Sequence, residues 1–527
     1  MEYSSIQLND LPDEILMIVF KKLDNVALLY SLIDVNMRLN NIVKNSIFTN
    51  CLTLLRFVPS HLIVLRSLST YFIYPLDNST VDRFCLHILP KINEKIQWFD
   101  LESLSMERIL LVTNYPNLCG LDETLFSCTL KNQILSLVID INTNGMENYK
   151  QGRNAIIFSH IFSMFSNLRY LNFCPPSIGH QRLSFDTSPL TVISKNLLEL
   201  HVSLRSFTDC LYLLDGRFNK LHTLYVNISL IRSLPLIINN REKLFNLKYF
   251  SLHCAWETFD YDELIVPLLH RMSNLEKLDL NLIVCERKTF IDGNELKINI
   301  VDYMPELKNL TFNIRSTSSF YNKINFPSNE DIQNTFTDFK DKKIMYCTDY
   351  FPKAKYGQCH IYSYPYKQKH YDGITNNFPD EIFKYVRKVS LFDERPFEHE
   401  FFLRISQSFP LMEILIVVNE KRQNNKQFRK SKNENQDLSI IEYPRLIQLD
   451  LFKAHKDYYE QFLYDTKTSL LNDLSLYTTY PIMQKVTRNF RRNATRTNCS
   501  KITYLYFYIK STYSEHLKEY FPHAKIV

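Results

Sequence analysis

Glycine is scarce: eight residues in a chain of 527, at positions 120, 145, 152, 179, 216, 293, 357 and 373. Loops that cradle phosphate need clustered glycines so that backbone N–H groups can close on the anion. No two glycines here lie closer than seven residues. Rossmann, Walker and kinase-type nucleotide sites are therefore excluded. Cys-x-x-Cys pairs are also missing. The eleven cysteines are odd in number and irregularly spaced, which predicts reduced thiols in an intracellular protein. No apolar run approaches the roughly 18 residues that span a bilayer, so no membrane partner is expected. The opening stretch MEYSSIQLND has an acid and no basic segment, which predicts no secretory signal. A net charge of +6 over this length is a mild bias and does not by itself indicate nucleic-acid binding.

Catalytic patterns are missing too. There is no Gly-x-Ser-x-Gly, and HEFFLR from His399 lacks the second histidine of a zinc-protease helix. Cys359 and His360 are neighbours. On a strand adjacent side chains point to opposite faces, so they form no nucleophile–base pair there. Two basic clusters, KRQNNKQFRKSK (421–432) and RNFRRNATR (488–496), read as a solvated loop and a helix face rather than a phosphate-binding surface. The sequence thus predicts a protein that is not an enzyme, with no metal and no cofactor.

A short pattern recurs along the chain, Leu-x-x-Leu-x-Leu. It appears as NLRYLNF, NLLELHV, KLHTLYV, NLKYFSL, NLEKLDL and ELKNLTF, whose first apolar residues stand at 168, 197, 221, 247, 275 and 307. With 45% apolar residues such a triple occurs by chance at about 9% of positions, so the triple alone means nothing. The steps of 24 to 32 residues and the Asn-Leu or Lys-Leu opening carry the signal. Helix-like segments precede several units, such as IIFSHIFSMFS (156–166) and LIVPLLHRMS (264–273). Weaker copies lie at 96 and 134, and later ones at 386, 411, 446, 471 and 502. A period in the twenties with one strand and one helix per unit is the mark of a leucine-rich repeat. The predicted fold class is α/β: an irregular leucine-rich-repeat-like solenoid over 51–312, an irregular strand and turn segment over 313–385, and further units over 386–527. The run 420–437 is predicted to be an exposed, charged loop.

Within each unit, residues alternate along the strand, so those between the leucines face away from the core. In a solenoid they line the inner sheet, with helices outside. Tyr170, His201, Tyr225, Tyr249, His253 and Lys277 are the candidate centre of a protein-binding surface, because tyrosine buries a large ring and keeps a polar tip.

The N-terminus is of another kind. In LPDEILMIVFKKL (11–23) six consecutive residues, Ile15 to Phe20, are apolar. The helix is predicted to end near Asp24–Asn25, followed by helices over 26–39 and 38–48 with a break near Val35–Asn36. Such a helix is apolar all round. One face can pack on residues 26–48, and the other is left for a partner, since about 40 residues cannot bury enough surface alone.

Residues 8–48, LNDLPDEILMIVFKKLDNVALLYSLIDVNMRLNNIVKNSIF, closely resemble the F-box motif. The resemblance rests on Leu11-Pro12, Glu14-Ile15-Leu16, Ile18, Phe20, Leu23, Leu28, Leu32, Val35 and Arg38. Leu39 departs from it, standing where the family usually has an aromatic residue. The resemblance implies a three-helix F-box over 1–50 that binds a Skp-type adaptor through Leu8, Leu11, Pro12, Ile15, Leu16, Ile18, Leu32, Val35 and Leu39. Through the adaptor it implies a cullin–RING complex, and for the chain the role of substrate receptor of an SCF-type ubiquitin ligase in the cytoplasm or nucleus. An adaptor-bound scaffold with no ubiquitylation target is one alternative, and an enzyme site within the irregular 313–385 segment is another.

Overall fold

The computed structural model describes residues 11–59, 71–100, 108–109, 112–113, 120–122, 134–139, 153–174, 182–186, 192–232, 242–319, 326–339, 342–379, 381–424, 439–471, 473–508 and 514–527. The fold is mixed α/β with large, mostly parallel sheets. The chain divides into two compact units, residues 1–282 with 299–310, and residues 283–298 with 311–527. The second unit therefore takes in both the 313–385 and the 386–527 segments.

The first unit opens with three short helices, α1 (Asp13–Phe20), α2 (Asn25–Leu32) and α3 (Met37–Val43). Pro12 stands at the N-cap of α1, where its missing N–H costs nothing. The helix stops at Phe20, short of the predicted end. Asp24 instead begins α2, its carboxylate accepting from the Ala27 N–H at 2.9 Å. The predicted break is present: Asp34 has a left-handed φ of 69°, and the Asn36 side chain caps α3 by accepting from the Leu39 N–H. The predicted third helix is two pieces, because Asn45 caps a new turn, Ser46–Thr49. The trio packs on the segment that follows. Lys91 Nζ bonds the Asp34 carboxylate at 2.5 Å, and the Tyr30 ring lies 6.5 Å from Phe84 under the Arg83 guanidinium.

Strands β1 (Cys51–Thr53), β2 (Leu55–Pro59) and β3 (Tyr71–Pro75) come next, the last two forming an antiparallel hairpin. Then β4 (Trp98–Asp100), β5 (Gly120–Asp122), β6 (Ser136–Ile139), β7 (Tyr170–Phe173), β8 (Glu199–Ser206), β9 (Thr223–Leu230), β10 (Tyr249–Thr258) and β11 (Lys277–Val284) follow. With β1 they lie side by side in sequence order, and the pairings from β1 to β10 are parallel. Each strand from β7 to β11 starts three residues after the Asn or Lys that opens its unit. The inward residues Leu171, Phe173, Leu200, Val202, Leu224, Val226, Phe250, Leu252, Leu278 and Leu280 are all buried. The opening asparagines hold the stack together. Asn196 Nδ2 donates to the Ser166 carbonyl at 2.9 Å, Asn246 to Asn219 at 2.6 Å and Asn274 to Phe245 at 3.2 Å, each reaching back one unit.

In the second unit, β12 (Asn309–Ser319) pairs from Asn313 antiparallel to β14 (Tyr356–Ser363), which pairs antiparallel to β13 (Ile344–Phe351). The predicted irregular segment is thus in part an antiparallel ribbon. Residues β15 (His370–Ile374), β16 (Lys388–Phe392), β17 (Ile414–Val418), β19 (Gln448–Asp450), β21 (Leu474–Thr478), β22 (Ile502–Phe507) and β23 (Lys525–Ile526) form a second sheet, parallel throughout; the two-residue strands β18 (Ile441–Glu442) and β20 (Thr468–Ser469) pair separately. Its core is dominated by aromatic rings, among them Phe383 stacked on Phe409 at 4.7 Å. The predicted charged loop is not wholly exposed. Gln423 is buried, its amide donating to the Phe397 carbonyl at 3.0 Å; residues 425–438 lie outside the described residues.

Candidate functional site

Helix α1 turns two faces outward and inward. Leu16 and Phe20 are 0% and 2% exposed, and the Phe20 ring meets Phe48 edge-on at 6.5 Å. One residue before each, Ile15 and Val19 are open to solvent, and Ile18 is 58% exposed. Leu23, Val35 at 57% and Met37 at 84% add to the exposed apolar residues of these helices. The beginning of α1 is held by Arg38 of α3. Its Nε donates to the Asp13 carboxylate at 2.7 Å and its Nη2 to the Leu11 carbonyl. The sequence marked Arg38 only as part of a motif; its clamp on Leu11 and Asp13 emerges from the fold.

The nine residues that the resemblance implies for adaptor contact fall into three groups. Pro12, Ile15, Ile18 and Val35 are exposed, while Leu11 and Leu32 are half-buried. Leu16 and Leu39 are buried, so they support the face from beneath and do not belong to it. Burial follows from helical spacing: Leu16 and Phe20 are four apart and share the inner stripe. Leu8 lies outside the described residues.

On the parallel sheet of the first unit, the predicted residues Tyr170, His201, Tyr225 and Tyr249 meet as one aromatic ladder. The Tyr170 and His201 rings are 5.3 Å apart, His201 and Tyr225 stack at 4.0 Å, and Tyr225 and Tyr249 meet edge-on at 4.7 Å. Parallel register places Tyr170, Glu199, Thr223 and Tyr249 at one level and Asn172, His201, Tyr225 and Ser251 at the next. His201 Nε2 lies 2.7 Å from the Glu199 carboxylate. Burial, with Glu199 nearby, pushes the Tyr170 phenol up. Burial, with the Tyr225 hydroxyl beside it, does the same to Tyr249. His253 is half-buried in register with Asn227, and Lys277 is exposed at the start of β11. Ser203, at an outward position by alternation, is buried. There Leu183 bridges Leu204, and Arg182 reaches over to the Asn227 carbonyl at 2.9 Å and its side-chain oxygen at 3.0 Å. The repeat pattern carries no sign of this covering segment.

Chemistry of other kinds finds no site among the described residues. No cluster of His, Cys, Asp and Glu is arranged to hold a metal. No described helix is long and apolar enough to cross a membrane. Nine cysteines are described and all are free. Cys359 and His360 are both buried, and His360 is spent on the Asn313 side chain at 2.6 Å. His399 is likewise buried, between Gln461 and the Ser439 carbonyl. The second basic cluster is not one helix face. Arg488, Asn489 and Phe490 take left-handed φ values of 52°, 56° and 60°, which turns Phe490 into the core. Arg492 then lies over the Tyr464 ring at 4.6 Å and Arg496 over Tyr520 at 5.5 Å.

Comparison of the chain with models of known families and with curated proteins finds no match.

Proposed function

We propose that this chain is the substrate-recognition subunit of an SCF-type ubiquitin ligase. Residues 11–48 act as an F-box that docks a Skp-type adaptor, and the repeat-like sheet of the first unit is one wall of a leucine-rich solenoid that receives a protein target. The chain performs no chemistry itself. It raises the local concentration of the target near a conjugating enzyme brought by the cullin–RING complex, so that ubiquitin transfer becomes effectively intramolecular. This places its work in the cytoplasm or nucleus.

The observation that supports the reading most directly is the split of α1. Leu16 and Phe20 anchor the helix, while Ile15, Ile18 and Val19 leave an apolar stripe open. A short helix that exposes such a stripe after its own core is complete has more apolar surface than its fold uses, and such patches mark interaction sites. The aromatic ladder supports the second half, since half-exposed tyrosines are the usual anchors of protein interfaces.

The test is affinity purification of the full chain and of its Ile18→Asp variant from cells, with quantitative mass spectrometry. Recovery of an adaptor and a cullin by the parent chain alone supports the reading, and equal recovery by both overturns the docking face. Depletion of the chain then separates receptor from scaffold: a receptor's target accumulates, whereas a scaffold leaves every bound protein at its former level.

A further inference from the structure

The second unit carries a surface that the repeat pattern did not single out. Along β19, β21 and β22, the outward positions hold Asp450, Tyr477 and Tyr506, which register places at one level. The Tyr477 and Tyr506 rings stack at 4.4 Å. Just past the strand ends, the Tyr508 ring stacks on Phe452 at 3.7 Å. Asp450 sits among these rings. Its carboxylate accepts from the Phe452 N–H at 2.9 Å and from the Tyr508 hydroxyl at 3.4 Å, and it makes no ion pair with any described residue. Lys388 and Lys453 are near enough to act on it through space without bonding to it.

We propose that this face binds a basic segment of a partner protein, with an arginine side chain seated on the Asp450 carboxylate and against the Tyr477 and Tyr508 rings. Charge and shape both favour that occupant. A half-buried carboxylate among rings has lost part of its hydration, which an incoming cation replaces. The faces of tyrosine rings attract cations through their quadrupole. Arginine fits better than lysine because its guanidinium is planar, weakly hydrated, able to stack on a ring and able to give two parallel hydrogen bonds to one carboxylate. The turn at Phe452 needs only an acceptor at position 450, which an asparagine also supplies, so among the described residues the charge itself bonds no cation. Burial raises the Asp450 carboxyl even though Lys388 and Lys453 act the other way, as expected of a carboxylate that has lost hydration. In the first unit Glu199 already meets His201, and Glu276 meets Lys308 and Lys248. This inference does not depend on what residues 11–48 bind.

The experiment titrates the full chain with fluorescein-labelled octa-arginine, octa-lysine and octa-glutamate and follows anisotropy. The expected order is arginine above lysine, with no binding of the glutamate peptide. Asp450→Asn, which keeps the turn and removes the charge, should weaken octa-arginine by about tenfold or more. Tyr508→Ala, at a residue 49% exposed, should weaken it as well while leaving the circular dichroism melt in place. Equal octa-arginine affinity in the parent and Asp450→Asn overturns the proposal. So does a failure of octa-arginine to bind the parent chain, or a loss of binding confined to a Tyr225→Ala, Tyr249→Ala double variant.

Discussion

Neighbouring residues of α1 should respond to substitution in opposite ways. Ile18 is 58% exposed and Leu16 is 0% exposed. Fully burying an isoleucine is worth roughly 1.5–3 kcal/mol, so covering the open part of Ile18 on docking contributes about 1–2 kcal/mol. Ile18→Ala should therefore weaken adaptor binding by about 5- to 30-fold. Ile18→Asp adds the desolvation of a carboxylate in an apolar contact, on the order of several kcal/mol. Together these predict a loss of about three orders of magnitude. The free chain should lose little stability, because more than half of the side chain already stands in water. Leu16→Ala instead empties a packed position and should cost about 2–5 kcal/mol of stability. Isothermal titration of the purified chain with a Skp-type adaptor, beside a urea melt of each variant, separates the two. An Ile18→Asp chain that binds the adaptor with parental affinity refutes the docking face. An Ile18→Asp melt displaced as far as that of Leu16→Ala refutes the division of α1 into an inner and an outer stripe.

Replacing Tyr225 and Tyr249 together with alanine removes a 4.0 Å stack and a 4.7 Å edge contact; a small fall in melting temperature, from pairs worth about 0.5–1.5 kcal/mol each, should accompany a loss of target capture of about tenfold, or 1.4 kcal/mol. Unchanged target recovery by mass spectrometry would move the target off this sheet. Asn246→Ala deletes the 2.6 Å bond to the Asn219 carbonyl and should lower stability by about 0.5–1.5 kcal/mol in a urea melt; a midpoint equal to the parent's rules out the stitching role. Burial, with the Arg315 charge nearby, holds the His360 imidazole well below its ordinary 6.5, so the folded chain keeps it neutral. The unfolded chain takes up the proton first as pH falls, so His360 leaves stability intact above about 6.5 and subtracts from it progressively below. Urea midpoints from about pH 7.5 to 5.5 should fall less in His360→Gln than in the parent, and parallel slopes would exclude His360 as the source.

Local chemistry made much of the parallel sheets legible. Leucines two apart, such as Leu278 and Leu280, define one face of a strand, and the repeated Asn-Leu opening fixes where each strand starts. The asparagine was visible as a recurrence before its bond to the previous unit gave it a cause. Helix ends were less legible because competing caps decide them. The α1 pattern runs on to Leu23, yet Asp24 begins the next helix and the chain needs the intervening turn. Strand β5 is illegible in the sequence because Gly120–Asp122 is three residues long and holds a single leucine. The ribbon of β12, β14 and β13 joins Asn313–Ser319 to Tyr356–Tyr362. Such pairing depends on register between distant segments, which no local period encodes.

The two aromatic surfaces follow the same logic, yet only the first is legible from the period of the sequence. Alternation along a strand names the residues that share a face, but whether their rings meet depends on how neighbouring strands align. In the first sheet β7 to β11 each start at the same offset from their opening residue, so Tyr170 and Tyr249, two residues past their leucines, fall on one level and His201 and Tyr225, four past theirs, on the next; His201 and Tyr225 stack side by side, and each outer tyrosine meets this pair diagonally. That regularity let alternation alone assemble the ladder. In the second sheet the β21–β22 register shifts between Leu474 and Ser475, which brings Tyr477 level with Tyr506 instead of the residue before it. Tyr508 lies beyond β22 altogether, where its ring stacks on Phe452. An irregular register and a side chain outside the strand are what concealed the rings around Asp450 from a reading by period.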